Sequence, residues 1–276
     1  MDLISYIVEP FQYGFLLRAL AVAVITSITC PLVGVFVVTR GYGFMGDAMA
    51  HAILPGMAAA LIAGLSPWIG MLPSALVFAF LVGFIVRKTG IQADAAIGIM
   101  FATLFALGIL VMSLWGAQVT VSLEDILLGQ LLAVTQSDIL VTLGVASLTL
   151  LVFIGYFKGL MFVSFDPVGA EVAGIRVERV DYLLLALISV VVVVTIQAVG
   201  VVLVLAMLIA PAAAATLAAQ RVVPTIGFGI LFALIASIVG IYASYYWNLP
   251  SGASIAMASG LIFAIVALVR RRISRA

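Results

Sequence analysis

Long apolar runs alternate with short polar intervals along this chain. An α-helix needs about 20 apolar residues to cross the hydrocarbon core of a bilayer. Nine runs meet that length: residues 14–38, 42–64, 67–86, 93–115, 138–157, 181–197, 202–219, 225–246 and 250–269. They are far longer than the ~10-residue alternating segments of a membrane barrel. Backbone polar groups inside lipid must be satisfied within helices or closed barrels, so helices are what the pattern predicts. The chain is expected to be an all-α polytopic membrane protein with about nine transmembrane helices, eight to ten being compatible with the runs. The stretch 181–219 decides the count. It is too long for one ordinary crossing, is flanked by Asp181 and Arg221, and holds Gln197 and Gly200 near its middle. Two short crossings fit it best, the second bent at Pro211.

Two intervals are neither crossings nor plain loops. Residues 116–137 include VSLEDILLGQLLAVTQ and predict a short external helix over about 120–134, lying at or dipping into the membrane surface. In the interval 158–180, Asp166 followed by Pro167 reads as a helix N-cap with proline at the first helical position. Gly174 is a fitting C-terminal stop, so a short capped helix is expected over about 166–175. No short-period repeat and no low-complexity tail divides the chain, and a single transmembrane domain over 1–276 is the simplest organisation. Scattered glycines such as Gly41, Gly43, Gly46, Gly98 and Gly108 are explained by close helix contact.

Composition and charge give the orientation. Of 276 residues, 66% are hydrophobic and 8% charged, against about 25% charged in a soluble domain; the outer surface must face membrane lipid. Arg40, Arg87, Lys88, Lys158, Arg176, Arg179, Arg221, Arg270, Arg271, Arg272 and Arg275 fall on one side of the nine-span layout, and Arg18 is the exception among the 12 basic residues. The opposite intervals hold Asp2, Glu9, Glu124, Asp125 and Asp138. By the positive-inside rule the C-terminus is cytoplasmic and the N-terminus outside. No basic residue precedes Arg18, so the start does not read as a cleavable signal. A net charge of +1 without a basic, aromatic-interleaved run excludes a nucleic-acid surface. The single Cys30 beside Pro31 reads as a buried small residue.

Ionisable groups inside a membrane are functional candidates by default. The clear case is Asp47, followed four residues later by His51, the only histidine, in GYGFMGDAMAHAILPG. That spacing puts both side chains on one helical face. Carboxylate and imidazole together suit Mn²⁺, Fe²⁺ or Zn²⁺. Two ligands are too few for a tight structural site, which suits an ion that must leave again; two copies about a two-fold axis would supply two Asp and two His. Pro55 and Gly56 would break or bend the helix just beyond the pair. Spacing alone leaves three readings open: metal ligands, hydrogen-bond partners of each other or of neighbouring helices, or a proton relay. Gln197, Met207, Thr103 and Ser113 are weaker candidates, better read as packing or interhelical hydrogen bonds, and Asp94 as the cap of the fourth span. The run from Gly83 to Thr89 lacks the second glycine of a nucleotide-binding loop, and no hydrolase or metalloprotease motif is visible. If ATP drives the protein, another subunit must bind it.

The stretch MGDAMAHAILPG (45–56) resembles the signature of the ABC metal-ion permeases, the membrane subunits of manganese, zinc and iron importers. QAVGVVLVLAMLIAPAAAATLAA (197–219), EPFQYGFLLRAL (9–20) and SFDPVGAEVAGI (164–175) also fit that family, so the resemblance runs from about residue 9 to residue 270. It implies a type II ABC importer-like permease in the bacterial cell (inner) membrane, with one span fewer at the N-terminus than ten-span members. It implies a second permease chain, usually identical, two cytoplasmic ATPase subunits, and an extracytoplasmic metal-binding protein that delivers the ion. No permanently bound cofactor is implied, only a transported divalent metal ion; similarity to manganese-type members favours Mn²⁺ over Zn²⁺ or Fe²⁺. In that picture Asp47 and His51 are the metal ligands of the permeation path. The helix at 166–175 is the coupling helix that meets the ATPase, with Asp166, Glu171 and Gly174 matching the family pattern. The alternative function is a stand-alone proton-coupled secondary metal transporter; a purely structural scaffold would leave the Asp–His pair without a role.

Overall fold

The computed structural model describes residues 12–115, 131 and 134–273. Among these residues the secondary structure is helical: α1 (Gly14–Thr39), α2 (Met45–Ala52), α3 (Leu54–Ile62), α4 (Pro67–Thr89), α5 (Ala93–Trp115), α6 (Gln136–Phe165), α7 (Pro167–Val172), α8 (Val177–Val199), α9 (Val201–Ala218), α10 (Val222–Trp247) and α11 (Ser251–Ile273). With α2 and α3 counted as one broken crossing, nine described segments are long and apolar enough to span a membrane. The division of 181–219 falls at Gly200, whose φ of 88° ends α8 and starts α9. Helix α9 then runs unbroken through Pro211. The external helix expected over about 120–134 lies outside the described residues apart from 131 and 134.

Helix ends depart from the apolar runs because capping, not apolarity, stops a helix. Helix α6 continues past residue 157 to Phe165, where Asp166 begins a new helix. Helix α4 carries Arg87 and Lys88 in its last turn, where cations meet the negative end of the helix dipole. Asp94 stands in the first turn of α5 rather than at its cap, and a carboxylate is favourable there for the same reason. Most of α1 and α8 is buried, 72% of each span, against 17% of α6 and of α11. The open faces of the latter are apolar: Leu148, Leu151 and Ile154 on α6, Leu261, Ile265 and Leu268 on α11. Exposed apolar faces this long are the faces a protein presents to lipid.

The described residues form two compact groups. One takes the chain up to Val35, the stretch ending at Leu148, and the chain from Val194 onward. Here α9, α10 and α11 pack on one another, and small residues allow the contact: the place of a Cβ on Gly34 is filled by the Leu208 carbonyl of α9, and on Gly240 by Ile255 of α11. The other group takes Phe36 onward to the end of α5, and Thr149–Val193. In it α2, α3, α4 and α5 pack together. Gly56 of α3 and Gly70 of α4 touch backbone to backbone, and Gly108 of α5 lies against Leu54 and Pro55.

Candidate functional site

The second crossing is the least apolar of the nine, and it is broken. Helix α2 ends at Ile53 and α3 restarts with Pro55 in its first turn, as expected of a proline whose ring clashes with the preceding turn. The glycine contacts to α4 and α5 clamp the break. Asp47 and His51 both lie on α2, one turn apart. Between Met45 and Leu54 they are the only residues not buried. With Gly43, Pro55 and Ala59 they continue an i, i+4 stripe of partly open positions.

Nothing among the described residues uses up the two polar groups. No hydrogen bond or ion pair joins Asp47 to His51, or to another described residue, and His51 Nδ1 is buried without a hydrogen-bond partner. The imidazole is instead held by rings. Phe101 and Phe105 of α5 meet it at centroid distances of 5.6 and 5.4 Å, tilted 61° and 74°, and stack on each other at 5.8 Å. Phe101, Phe105 and Gly108 share one face of α5 at i, i+4, i+7 spacing, so the same face that seats the break also frames the histidine. The pair is short of a complete site: no group of three His, Cys, Asp or Glu suited to a metal occurs among the described residues. A carboxylate and an imidazole, partly open and unspent among the described residues, are groups that could hold a cation only with further ligands beside them.

The expected short helix forms as α7. Asp166 Oδ1 accepts from the Gly169 N–H at 2.8 Å, with Pro167 in the first turn. Past its end, Gly174 takes φ 82°, a left-handed conformation that glycine adopts without a Cβ clash. The Ile175 N–H then donates to the Ala170 carbonyl at 2.9 Å, closing the end as a Schellman turn. Ala170 is buried while Val168 and Val172 are 71% and 85% exposed, an apolar pair on one face of a helix flanked by charge. Glu171 and Gly174 border a groove of about 730 Å³ that also includes Arg87, Arg176, Glu178 and Arg179.

Sequence reasoning counted Arg40 and Arg87 only as markers of orientation, and Asp181 only as the flank of the stretch 181–219. They meet. Arg40 Nη1 lies 2.7 Å from Asp181 Oδ1, Arg87 Nη1 3.3 Å from Asp181 Oδ2, and Arg87 Nη2 3.9 Å from Glu178. Arg40 Nε donates to Ser164 Oγ at 3.1 Å. Tyr42 is buried beside them; burial first, then the charge of Asp181, raises its phenol above the usual value. The signal available in the sequence was opposite charge at span ends on one side of the layout. The weaker candidates are accounted for locally. Thr103 bonds back to the Ile99 carbonyl at 2.8 Å, and Met207 is buried with its sulfur facing two serine hydroxyls. Cys30 is fully buried. Ser113 is exposed, and the side-chain oxygen of Gln197 is buried without a hydrogen-bond partner.

A chain of crossings with a broken helix and an unspent polar pair at the break is a membrane permease. Residues 12–270 match the family model "ABC 3 transport family", and the chain belongs to that family. The manganese transport system membrane protein MntC of Halalkalibacterium halodurans is 38% identical over 258 residues, covering 93% of this chain and 88% of its own length. The chelated iron transport system membrane protein YfeD of Yersinia pestis is 34% identical over 271 residues, 98% of this chain and 90% of its own. Among solved structures, PsaBC from Streptococcus pneumoniae in complex with Fab matches with a TM-score of 0.81 at 36% identity, over 96% of this chain and 95% of that one. The chain is thus a multi-pass permease subunit of the bacterial cell membrane. It is a transport subunit and not an enzyme, the ATPase activity lying in a separate subunit. Family membership decides against a stand-alone secondary transporter.

Proposed function

We propose that this chain forms the membrane path of an ATP-driven importer for a divalent transition metal ion, Mn²⁺ foremost, with Asp47 and His51 as the ligands that meet the ion within the membrane. The observation that carries this reading is the open, unspent pair on the broken crossing, with His51 Nδ1 lacking any partner. Ionisable groups left without partners in an apolar span are costly, and a passing cation is the partner that relieves the cost. A carboxylate oxygen and an imidazole nitrogen replace part of the hydration shell. So few ligands from one chain favour release over retention.

A second, identical chain completes the path by bringing another Asp and His across a two-fold axis. Two cytoplasmic ATPase subunits meet α7 through Val168, Val172 and Glu171, and an extracytoplasmic binding protein supplies the ion at the other face. ATP-driven movement of α7 shifts the equilibrium between outward- and inward-open forms. Manganese in the name of MntC, set beside iron in that of the less similar YfeD, supports Mn²⁺ before Fe²⁺; Zn²⁺ accepts the same ligands.

The test is reconstitution of the chain with its ATPase subunit and binding protein in proteoliposomes. ATP-dependent Mn²⁺ uptake is expected, with Fe²⁺ competing and Zn²⁺ tried alongside. Glu171→Arg is expected to leave ATP hydrolysis running while uptake per ATP drops about tenfold, within the usual size of a coupling between two sites. Absence of ATP-dependent uptake of all three ions overturns the importer reading. Unchanged uptake per ATP in Glu171→Arg removes the docking role of α7.

A further inference from the structure

The network at Arg40 is not needed to hold an ion, and it is not a surface decoration. Arg40 and Asp181 side chains are only 14% and 18% exposed, and an ion pair this enclosed is kept at a desolvation cost that surface pairs do not bear. Its position is informative. Ser164 lies just ahead of the Asp166 cap of α7, and Asp181 lies in the first part of α8, just after α7 and its Gly174 turn. One guanidinium therefore holds the segments entering and leaving α7, through Nε to Ser164 at 3.1 Å and Nη1 to Asp181 at 2.7 Å. Arg87, in the last turn of α4, joins from the side.

The other end of Arg40 is its backbone, which leads directly to the metal-bearing helix. From Arg40 to Met45 the chain is a hydrogen-bonded turn. The Tyr42 N–H donates to the Val37 carbonyl at 2.9 Å, and the Met45 N–H to the Tyr42 carbonyl at 2.9 Å. Gly41 at φ 72° makes the reversal possible. Tyr42 is buried, so the turn is anchored in packed surroundings. Helix α2 follows at Met45, with Asp47 in its first turn. The fork is also unsaturated: Arg40 Nη2 is buried with no hydrogen-bond partner, which leaves a donor to engage when the segments around α7 shift.

We propose that Arg40 is a positioning residue that couples α7 to α2: by gripping Ser164 and Asp181 on either side of the short helix, it converts movement of α7 into displacement of the Asp47–His51 face. This rests on the importer reading above and adds the mechanical link within one chain. Arginine is favoured because its planar head lets Nε bond the Ser164 hydroxyl while Nη1 pairs in charge with Asp181, whereas lysine offers one compact charge.

The experiment uses the complex of this chain with its ATPase subunit and binding protein in proteoliposomes, measuring ATP hydrolysis, Mn²⁺ uptake, and equilibrium Mn²⁺ binding to the solubilised complex. For Arg40→Gln, uptake per ATP is expected to fall about tenfold with assembly and Mn²⁺ binding retained. Arg40→Lys, keeping the charge but not the fork, is expected to recover part of it. Uptake per ATP within twofold of the parent in Arg40→Gln overturns the proposal. If Arg40→Gln does not assemble, Ser164→Ala and Asp181→Asn decide: each must lower uptake per ATP in an assembled complex, and unchanged coupling in either overturns the link. Loss of Mn²⁺ binding together with uptake also overturns it, since that assigns Arg40 to the ion site. Failure of the ligand reading is separately visible, as Mn²⁺ binding unaffected by changes at Asp47 and His51.

Discussion

Ser27, Ser237 and Ser259 sit inside apolar helices as Asp47 and His51 do, and the chain treats the two sets in opposite ways. In the serine set, the hydroxyls of Ser27 and Ser237 share a hydrogen bond of 2.8 Å, and Ser27 also bonds back to the Ala23 carbonyl at 2.6 Å. Ser237 and Ser259 point at the Met207 sulfur from 3.9 and 3.8 Å. All four side chains are buried. In the other set, two groups of greater solvation cost lie on an open stripe and bond to nothing described, one nitrogen being buried and unpartnered. Buried polar groups in membranes pair across helices when their role is to hold helices together. A pair that forgoes every such partner among the described residues fits the proposal that its partner is a passing ion.

The sharpest way to break that contrast is to remove the open pair. Asp47→Ala and His51→Ala are each expected to lower ATP-dependent Mn²⁺ uptake by at least about tenfold, the low end of what losing only an outer-shell partner of a metal ligand costs, while the solubilised complex keeps its assembly. No internal hydrogen bond is lost on either substitution; Asp47→Ala is expected to keep the parent melting temperature, and His51→Ala to lower it slightly through its two ring contacts. Normal uptake by both variants would leave the pair without a function and erase the contrast.

A smaller effect is expected from the frame around the histidine. Phe101→Ala and Phe105→Ala each remove one of the two rings that fix the imidazole. An aromatic contact is worth about 0.5–1.5 kcal/mol beyond its buried area, and a loosened ligand binds less well. The expected signature is a several-fold rise in the Mn²⁺ concentration giving half-maximal uptake, with Phe→Leu milder than Phe→Ala because it restores apolar bulk. Equal loss of maximal rate at unchanged half-saturation would mean the rings serve the transport movement instead of the ligand.

The contrast was half legible in the sequence. The crossings followed from apolar runs and the side taken by Arg and Lys. The break followed from Pro55, and the cap of α7 from Asp166 and Pro167, because each is a local rule written in neighbouring residues. Spacing put Asp47 and His51 on one face, yet left open whether they bonded to each other; only three-dimensional placement shows Phe101 and Phe105 occupying the imidazole's surroundings. Arg40 and Ser164 are 124 positions apart, and a hydrogen bond over such a separation leaves no periodic trace. Helix α6 overran its apolar stretch because Asp166, not the last apolar residue, ends it. The serines were not singled out at all, since isolated hydroxyls in apolar runs carry no pattern until their partners are known.

Those serines provide the smallest and most discriminating prediction. Ser237→Ala deletes one hydroxyl from the closed set, but Ser27 keeps its bond to the Ala23 carbonyl, and no buried donor is orphaned. Interhelical hydrogen bonds of this kind average about 0.6 kcal/mol in membrane proteins, which corresponds to a loss of about 2 °C in melting temperature for a chain of this size. Mn²⁺ uptake by the variant is expected to match the parent. A polar set that only holds helices together registers in stability and not in transport, whereas the Asp47–His51 pair is expected to register foremost in transport. If Ser237→Ala abolished uptake at unchanged melting temperature, the closed set would belong to the transport path, and hydrogen-bond satisfaction would no longer distinguish packing groups from ligands in this protein.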